Sequence, residues 1–441
     1  MARVMAKSTV AHDSVHSFAF QVAGVAMGFV TSWIISRLYG PEGKGVLAFL
    51  ASTLTVSTVM GGLGLHAAAT RLIGQKKFDP RTISGVQLAS GLAAGVLLAA
   101  VLAFYLPAYL DRLGLTPRIL LPYIATVVTA LVALNLNGVM LGQGQIRSSN
   151  LLNAIPPLLW TLATVGFAAT RDVPIGTACW IWIGSQVAGG IILSLVVLRR
   201  EPPFLRDWAA AVRSTFRFGI EAYAANVVWV LVLRIDAQLL LLWSNAAQLG
   251  LYSIGVALAE ALWHFPRAMN QAAVAKIAGG GRADALSLSL RTVRIGVFLT
   301  VIFGTLLALI ARPLVLWVYG DAFEGSVACL LFLLPGMVGN AMAGPLGLFL
   351  SQQLGLPRHN AINSAIVLVV NIALNAVWIP RWGAVGAAAA SSVTYLLMGL
   401  LAALRVRREP EFGWRRLLVV RTDDLRLMKS SLQALVSRGK R

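Results

Sequence analysis

Two charged residues lie inside an apolar run of this sequence. Arg234 and Asp236 occur in the segment VLVLRIDAQLLLLW, where nearly all their neighbours are apolar. A charged side chain costs about 2.5 to 3.5 kcal/mol near the centre of a membrane helix unless it faces a polar interior. Since residues two apart on a helix point to different faces, each needs its own partner or water. The guanidinium suits a phosphate-like anion, and the carboxylate suits a proton or a cation.

A second polar group occurs in the next apolar segment. Glu260, His264 and Arg267 are separated by four and then three residues, which places them on one helix face, and Pro266 interrupts the helix there. This stripe is expected to line a cavity. The alternative is that Arg267 extends to the lipid headgroups while Glu260 pairs locally.

Arginines also end the first two apolar segments, Arg37 on the expected outer side and Arg71 on the inner side. Either one alone is explained as an interfacial anchor. Together with the arginines at 234 and 267, they would place cations at both ends of a central path that suits an anionic headgroup. The candidate substrate-binding residues are therefore Arg37, Arg71, Arg234 and Arg267. The candidates for lining the cavity or for proton or cation coupling are Asp236, Glu260 and His264.

The elements that must position these residues are membrane helices. The chain is 58% hydrophobic and 12% charged, and its mean hydropathy is +0.76; soluble domains contain about a quarter charged residues. A spanning helix needs about 20 mostly apolar residues, and the pattern predicts an all-α integral membrane protein with about twelve such helices. They are centred near residues 26, 55, 94, 130, 160, 187, 231, 257, 301, 338, 370 and 394.

The net charge of +20 is a topology signal. With the N-terminus in the cytoplasm, most of the 37 Lys and Arg residues fall in cytoplasmic loops and in the tail. This bias predicts cytoplasmic termini and a surface that faces anionic lipid, with no nucleic-acid partner. No cleavable signal peptide is expected. Cys179 and Cys329 suggest packing, and no metal site is expected.

The sequence also repeats itself. GVMLGQGQIRSSNLLN at 138–153 resembles GLFLSQQLGLPRHNAIN at 347–363: each is an apolar helix end, a Gln-rich turn with one arginine, and an Asn-rich helix start. Internal repeats are typical of transporters that carry substrate at the interface of two halves. The predicted organisation is a six-helix half at 1–198, a cytoplasmic linker at 199–215, a second six-helix half at 216–404 and a basic tail at 405–441.

The tail has apolar residues at spacings near three and four, including Leu417 and Leu425, with arginines between them. It is expected to form an amphipathic helix on the inner leaflet, with a disordered basic tail as the alternative. Motifs for enzymes and ATP binding are absent from the sequence: GxxxxGK[ST], HExxH and GxSxG do not occur. We therefore expect no catalysis and no cofactor.

Three segments carry a family resemblance. WIISRLYGPEGKGVLAFLAS with GLGLHAAATR, then LRIDAQLLLLWSNAAQLGLYSIGVALAE, and finally NIALNAVWIPRWGAVGAAAASS resemble Wzx-like polysaccharide flippases of the MOP superfamily, which also contains the MATE exporters and the MurJ lipid II flippases. The resemblance covers residues 15–405. It implies a MOP/MATE-like fold of two pseudo-symmetric halves in the bacterial inner membrane.

The resemblance also implies a function. It is the translocation of a polyprenyl-pyrophosphate-linked oligosaccharide from the inner to the outer leaflet by alternating access, with membrane lipids and other polysaccharide-assembly proteins as partners. Arg234 and Arg267 are then expected to contact phosphate, with Arg37 and Arg71 near the two gates. A MATE-like drug antiporter, a MurJ-like lipid II flippase and a membrane scaffold for glycan assembly remain alternatives.

Overall fold

The computed structural model describes residues 2–170, 173–424 and 426. Over these residues the chain is helical and contains no strand. The helices of the first part are α1 Ala2–Gly62, α2 Leu65–Gly74, α3 Pro80–Tyr105, α4 Pro107–Leu110, α5 Leu120–Gly142, α6 Ile146–Asn153, α7 Ile155–Thr170, α8 Ile175–Arg200 and α9 Trp208–Trp243. They are followed by α10 Ala246–Ala261, α11 His264–Gly279, α12 Arg282–Tyr319, α13 Gly325–Leu348, α14 Pro357–Val406 and α15 Trp414–Leu418.

The all-α membrane fold expected from composition is confirmed. Among the described residues, nine helices are long and apolar enough to cross a membrane, or ten if the bent pair α10 and α11 counts as one span. Two of the nine, with 44 and 50 residues, would be roughly 66 and 75 Å long, about twice a bilayer core. They are broken at Gly40 and Gly383, which have positive φ. The count of twelve spans and the cytoplasmic termini stay predictions.

The chain divides into two compact units, residues 1–250 and 251–441. The linker boundary near residue 200 differs from this division because α9, which comes after the linker, packs against α1 and α2 and so belongs to the first unit. The arrangement into two six-helix halves remains a prediction. In the first unit, α5 lies at the centre, in contact with α2, α3 and α8.

In the second unit, α13 packs against α12 and α14. A core cluster of this unit joins side chains of α11, α12, α13 and α14 and includes Leu286, Leu290 and Val406. Leu417 of α15 is fully buried in the same cluster. The sequence pattern predicts that Leu417 faces lipid, whereas in the structure it packs in the protein interior. Leu425 and residues 427–441 lie outside the described residues.

Both copies of the repeated turn motif place a glycine with positive φ between two helices. In the first, α5 ends and α6 begins on either side of Gly144, whose φ is 74°. In the second, α13 ends in a short π-helical turn, and Gly355, with φ 65°, precedes α14. A left-handed backbone conformation favours glycine, so both turns need it. Cys179 and Cys329 are buried and unbridged, as packing residues would be.

Candidate anion-binding site

A cavity of about 290 Å³ lies in the first unit, between the end of α2 and the first turns of α9. Four of the side chains that line it are cationic, and no carboxylate is among its lining residues. The full lining is Arg71, Leu72, Gln75, Lys77, Arg213, Ser214, Arg217 and Phe218. This charge distribution suits an anion.

The end of α2 directs two of these side chains. The backbone N–H of Lys76 donates to the carbonyl of Ile73 (2.8 Å), and that of Lys77 donates to Leu72 (3.0 Å). Lys76 has a φ of 55°. This pattern is a Schellman motif, which ends a helix and turns the chain back across it. Since Leu72 and Ile73 are buried, Arg71 and Lys77 are left at the surface of the helix end.

The first turns of α9 supply the opposite wall. Arg217 and Phe218 follow Arg213 and Ser214 by four residues, about one helical turn, so the four side chains share a face of α9. Ala211, two residues before Arg213, and Thr215, between the two arginines, are fully buried and hold this part of α9 against the unit. Sequence spacing alone therefore places two cations side by side on α9.

Close packing brings the two walls together. A Cβ atom on Gly64, just before α2, would lie 2.8 Å from the carbonyl oxygen of Gly219 in α9, so only glycine permits this approach. Next to Gly219, the Phe218 ring lies under the guanidinium of Arg71, with 4.3 Å between the Arg71 Cζ and the ring centroid. Such a cation–π contact contributes about 0.5 to 1 kcal/mol at an exposed site. It orients Arg71 at the cavity.

The four cationic side chains are exposed to solvent. Their attraction for an anion is therefore screened by water and salt, and an individual contribution is modest. A multiply charged anion such as a pyrophosphate gains from all of them at once. The site is thus suited to polyanions more than to a single carboxylate.

The other predicted residues of the first unit lie elsewhere. Arg234 is on α9, 17 residues beyond Arg217, or roughly 25 Å along the helix, and it is not among the cavity's lining residues. Arg37 is exposed near the break of α1. Of the predicted arginines in this unit, only Arg71 therefore lines the cavity.

Asp236 is fully buried on α9. A polar layer lies close to it along the helix: Ser52 Oγ donates to the backbone carbonyl of Arg234 (3.2 Å), and Gln238 Oε1 accepts from Thr53 (3.3 Å) and from Tyr105 (3.1 Å). These bonds tie α9 to α1 and α3. As the sequence predicts, the charged residues inside this span have polar groups near them along the helix.

The remaining candidates belong to the second unit. The helix breaks between Glu260 and His264, with a bend of 46° between α10 and α11. The three residues are therefore not on one continuous helix face, because the stripe assumed regular helix across this break. Arg267 is exposed, and its guanidinium carbon lies 5.9 Å from the Trp263 ring centroid. The roles proposed for Glu260, His264 and Arg267 stay predictions.

Sequence reasoning missed Lys77, Arg213 and Arg217 as binding residues. It assigned them to the general cytoplasmic charge bias. One signal in the sequence points to the two arginines: their spacing of four, which places them on one helix face.

Comparisons with known proteins agree with this structure. A model of the family described as "Polysaccharide biosynthesis protein" matches residues 11–275, more than half of the chain. The comparison with curated protein sequences returned no match. A solved structure of the lipid II flippase MurJ in an inward closed conformation is similar, with a TM-score of 0.74 and 12% identity over 89% of this chain and 87% of that chain.

Two further solved structures share the fold. An inward-facing multidrug resistance MATE family transporter of the MOP superfamily has a TM-score of 0.70 at 13% identity, over 87% of this chain and 94% of its own. A MOP superfamily transporter from Pyrococcus furiosus has a TM-score of 0.58 at 13% identity, over 90% and 93%. With the family match from α1 into α11 and this common helical architecture, the protein belongs to the polysaccharide biosynthesis protein family and has the fold of the MOP superfamily transporters.

Proposed function

We propose that the protein is a flippase that moves a polyprenyl-pyrophosphate-linked oligosaccharide from the inner to the outer leaflet of the bacterial inner membrane by alternating access. The observation that carries this proposal is the cavity of four cationic side chains without a lining carboxylate, in a member of the polysaccharide biosynthesis family. A pyrophosphate headgroup is the anionic part of such a cargo. In the cavity that headgroup would meet several cations together.

The physics of the cargo favours such a site. A charged headgroup cannot enter hydrocarbon without replacement of its hydration. Exposed cations at the cytoplasmic face replace part of that hydration before the headgroup leaves water. The membrane potential then assists export, by about 2.3 kcal/mol per charge per 100 mV.

Further roles belong to the same proposal. Arg234 and Arg267 contact the phosphates during passage, and Arg37 lies near the outer gate. Asp236, fully buried in α9, is the strongest candidate for coupling to a proton or cation, with Glu260 and His264 as alternatives. The membrane lipids carry the polyprenyl chain, and other polysaccharide-assembly proteins receive the product.

The main rival is a MATE-like antiporter for cationic drugs. A cationic drug would be repelled by the four cations of the cavity, whereas a lipid pyrophosphate is attracted. A second rival, a scaffold role in glycan assembly, requires no charge at Arg71 or Arg213. Substituting these residues therefore separates the three functions.

The test is the distribution of glycan in cells depleted of the protein. Depletion is expected to accumulate the lipid-linked oligosaccharide and to reduce the surface polysaccharide. Wild-type protein and the control variant Lys76→Asn restore both, because Lys76 adjoins the cavity without lining it. The double variant Arg71→Gln/Arg213→Gln does not. Unchanged pools after depletion, or full rescue by the double variant, would overturn the proposal.

A further inference from the structure

A six-residue motif occurs twice, once at the end of α8 and once just after α14. Residues 199–204 read RREPPF and residues 407–412 read RREPEF. The first copy joins the end of α8 to α9, and the second joins the end of α14 to α15. The internal repeat therefore extends beyond the spans, into the linker and the tail.

The first copy folds back onto the start of α3. Glu201 Oε2 lies 3.9 Å from Nε of Arg81, in the first turn of that helix. The backbone N–H of Phe204 donates to the carbonyl of Arg81 (3.3 Å). Four residues later, the Trp208 ring covers Gly85, where a Cβ atom would lie 3.0 Å from the indole. The linker thus crosses the cytoplasmic end of α3.

The second copy makes the equivalent contact on α12. Glu409 accepts two hydrogen bonds from Arg282, in the first turn of α12: from Nε to Oε2 and from Nη2 to Oε1, both 2.8 Å. Phe412 and Leu417 then pack against the core that contains Leu286. In each unit an arginine at a helix start forms an ion pair with the glutamate of the motif, more closely in the second unit, whereas Glu201 accepts a hydrogen bond from Gln143 (2.6 Å). An aromatic or apolar residue further along the returning chain packs on the same helix.

The two copies are continued by different structures. After Trp208 the chain runs on as α9, a helix of 36 residues that packs into the first unit. After α15 no such helix occurs within the described residues up to 426. The second copy is held instead by an ion-pair cluster around Asp424.

Asp424 is almost completely buried. Arg294 donates to both of its carboxylate oxygens, from Nε at 2.8 Å and from Nη2 at 3.1 Å. Arg291 Nε donates at 3.0 Å, and the backbone N–H of Arg421 at 3.1 Å. Arg294 also donates to the carbonyl of Arg416. Arg294 therefore joins α12 to two points of the tail, the Asp424 carboxylate and the Arg416 carbonyl.

The first unit lacks the residues for this cluster. Arg291 and Arg294 come nine and twelve residues after Arg282, and the residues at the same distances after Arg81 are Ser90 and Ala93. Arg291 and Arg294 therefore lie on α12, and among the described residues no long helix follows the segment that folds back onto α12. The segment that folds back onto α3 continues instead into α9. The first copy is held in place by α9, whereas the second copy is held by the ion pairs of Arg291 and Arg294 with Asp424.

We propose that residues 409–424, the C-terminal strap, are an intramolecular binding partner of the α12 surface formed by Arg282, Arg291 and Arg294, and that Asp424 anchors the strap in place of the continuing helix that holds the linker. The strap closes the cytoplasmic end of the second unit. This inference goes beyond the proposed function and does not depend on the cargo.

The chain offers closely matched controls for each contact. Asp423 neighbours Asp424, but its side chain is 77% exposed and its ion pair is with Arg426, at 3.9 Å. Glu411 is exposed two residues after Glu409. Neutralising Asp424 leaves a buried guanidinium without its counter-charge, whereas neutralising Asp423 disturbs only a solvated pair.

The experiment measures tryptic cleavage of full-length protein in inside-out membrane vesicles, at Arg415, Arg416 and Arg421. Asp424→Asn is expected to increase the cleavage rate at these sites at least tenfold, and Glu409→Gln to increase it by a smaller factor. Asp423→Asn and Glu411→Gln are expected to behave as wild type. In parallel, the melting temperature of purified Asp424→Asn should fall by several degrees, without loss of the single folded transition.

The outcomes are decisive either way. Equal cleavage of the Asp424→Asn and Asp423→Asn variants would overturn the proposal, as would rapid cleavage of the wild-type strap. If Asp424→Asn failed to fold, Glu409→Gln against Glu411→Gln would provide the same comparison on a separate contact. Cleavage is independent of transport, so failure of the strap would leave the flippase proposal intact, and the reverse also holds.

Discussion

The cationic cavity supports a quantitative prediction about binding. Arg71, Lys77, Arg213 and Arg217 are all exposed at its wall. A Lys or Arg near an anionic surface contributes about 1 kcal/mol, which corresponds to about fivefold in affinity. Each single substitution to Gln should therefore weaken binding of a polyprenyl pyrophosphate by about fivefold.

The combined effect should be much larger. If the four contributions add, the quadruple Gln variant loses about 4 kcal/mol, or about a thousandfold in affinity. Because the cations are solvated, the affinity of the wild type should also fall steeply as salt is raised, and the salt dependence of the quadruple variant should be shallow. Arg71→Gln also loses its contact with Phe218, so its effect should be the largest of the four.

The assay is equilibrium binding of a fluorescent short-chain polyprenyl pyrophosphate to purified protein in neutral detergent, at two salt concentrations. Lys76→Asn is the control, because Lys76 carries the same charge next to the cavity, and Asn tolerates its left-handed backbone conformation. The reasoning is refuted if Lys76→Asn weakens binding as much as Lys77→Gln, since net charge would then explain the effect. It is also refuted if the quadruple variant keeps its affinity.

Three further predictions concern helix packing, a buried hydrogen bond and the strap. Gly45→Ala should destabilise the protein by about 1 to 3 kcal/mol in thermal unfolding, because the new Cβ would overlap the carbonyl of Ala246, whereas Gly166→Ala, in open space, should not. Tyr123→Phe should cost about 1 kcal/mol in the same assay through loss of the 2.7 Å bond to the Leu50 carbonyl; an unchanged melting temperature would contradict this. Burial opposes ionisation of Asp424, but bonds from Arg294 and the Arg421 N–H, with the charge of Arg291, lower its pKa. The stabilisation by Asp424 is therefore complete above the unfolded pKa near 4 and is lost as pH falls through the lower folded pKa. The protection of the strap amides, after correction for the intrinsic pH dependence of exchange, should fall there in wild type and change less with pH in Asp424→Asn.

The fold was predictable because the bilayer leaves few solutions. Apolar runs of spanning length must be helices, since backbone groups cannot stay unsatisfied in hydrocarbon. The same physics locates the breaks only partly. Pro266 marked one of them. The breaks at Gly40 and Gly383 were not predicted, because a glycine allows a left-handed backbone conformation but does not require it.

The site was less predictable because it depends on packing between distant segments. Arg71 was identified as one arginine at a span end. That it faces Arg213 and Arg217 results from the approach of Gly64 to Gly219, which no local pattern specifies. In the tail, the amphipathic helix stays a prediction; Leu417 is buried and Leu418 is exposed, and spacing does not say whether lipid or protein covers an apolar residue. Leu417 faces protein because Asp424 and Glu409 pair with α12 on either side of it.

The cationic cluster on α12 and the cationic cavity of the first unit differ in their partners, and this difference has a consequence for recognition. In the second unit, Arg282, Arg291 and Arg294 bind carboxylates of the strap, so an incoming anion would have to displace a buried partner. In the first unit, the cavity at Arg71 has no carboxylate among its lining residues. Since displacement of a buried ion pair costs far more than displacement of water, an anionic headgroup should bind first to the first unit. Substituting the cavity arginines should therefore abolish initial binding, and neutralising Arg282 should leave it unchanged.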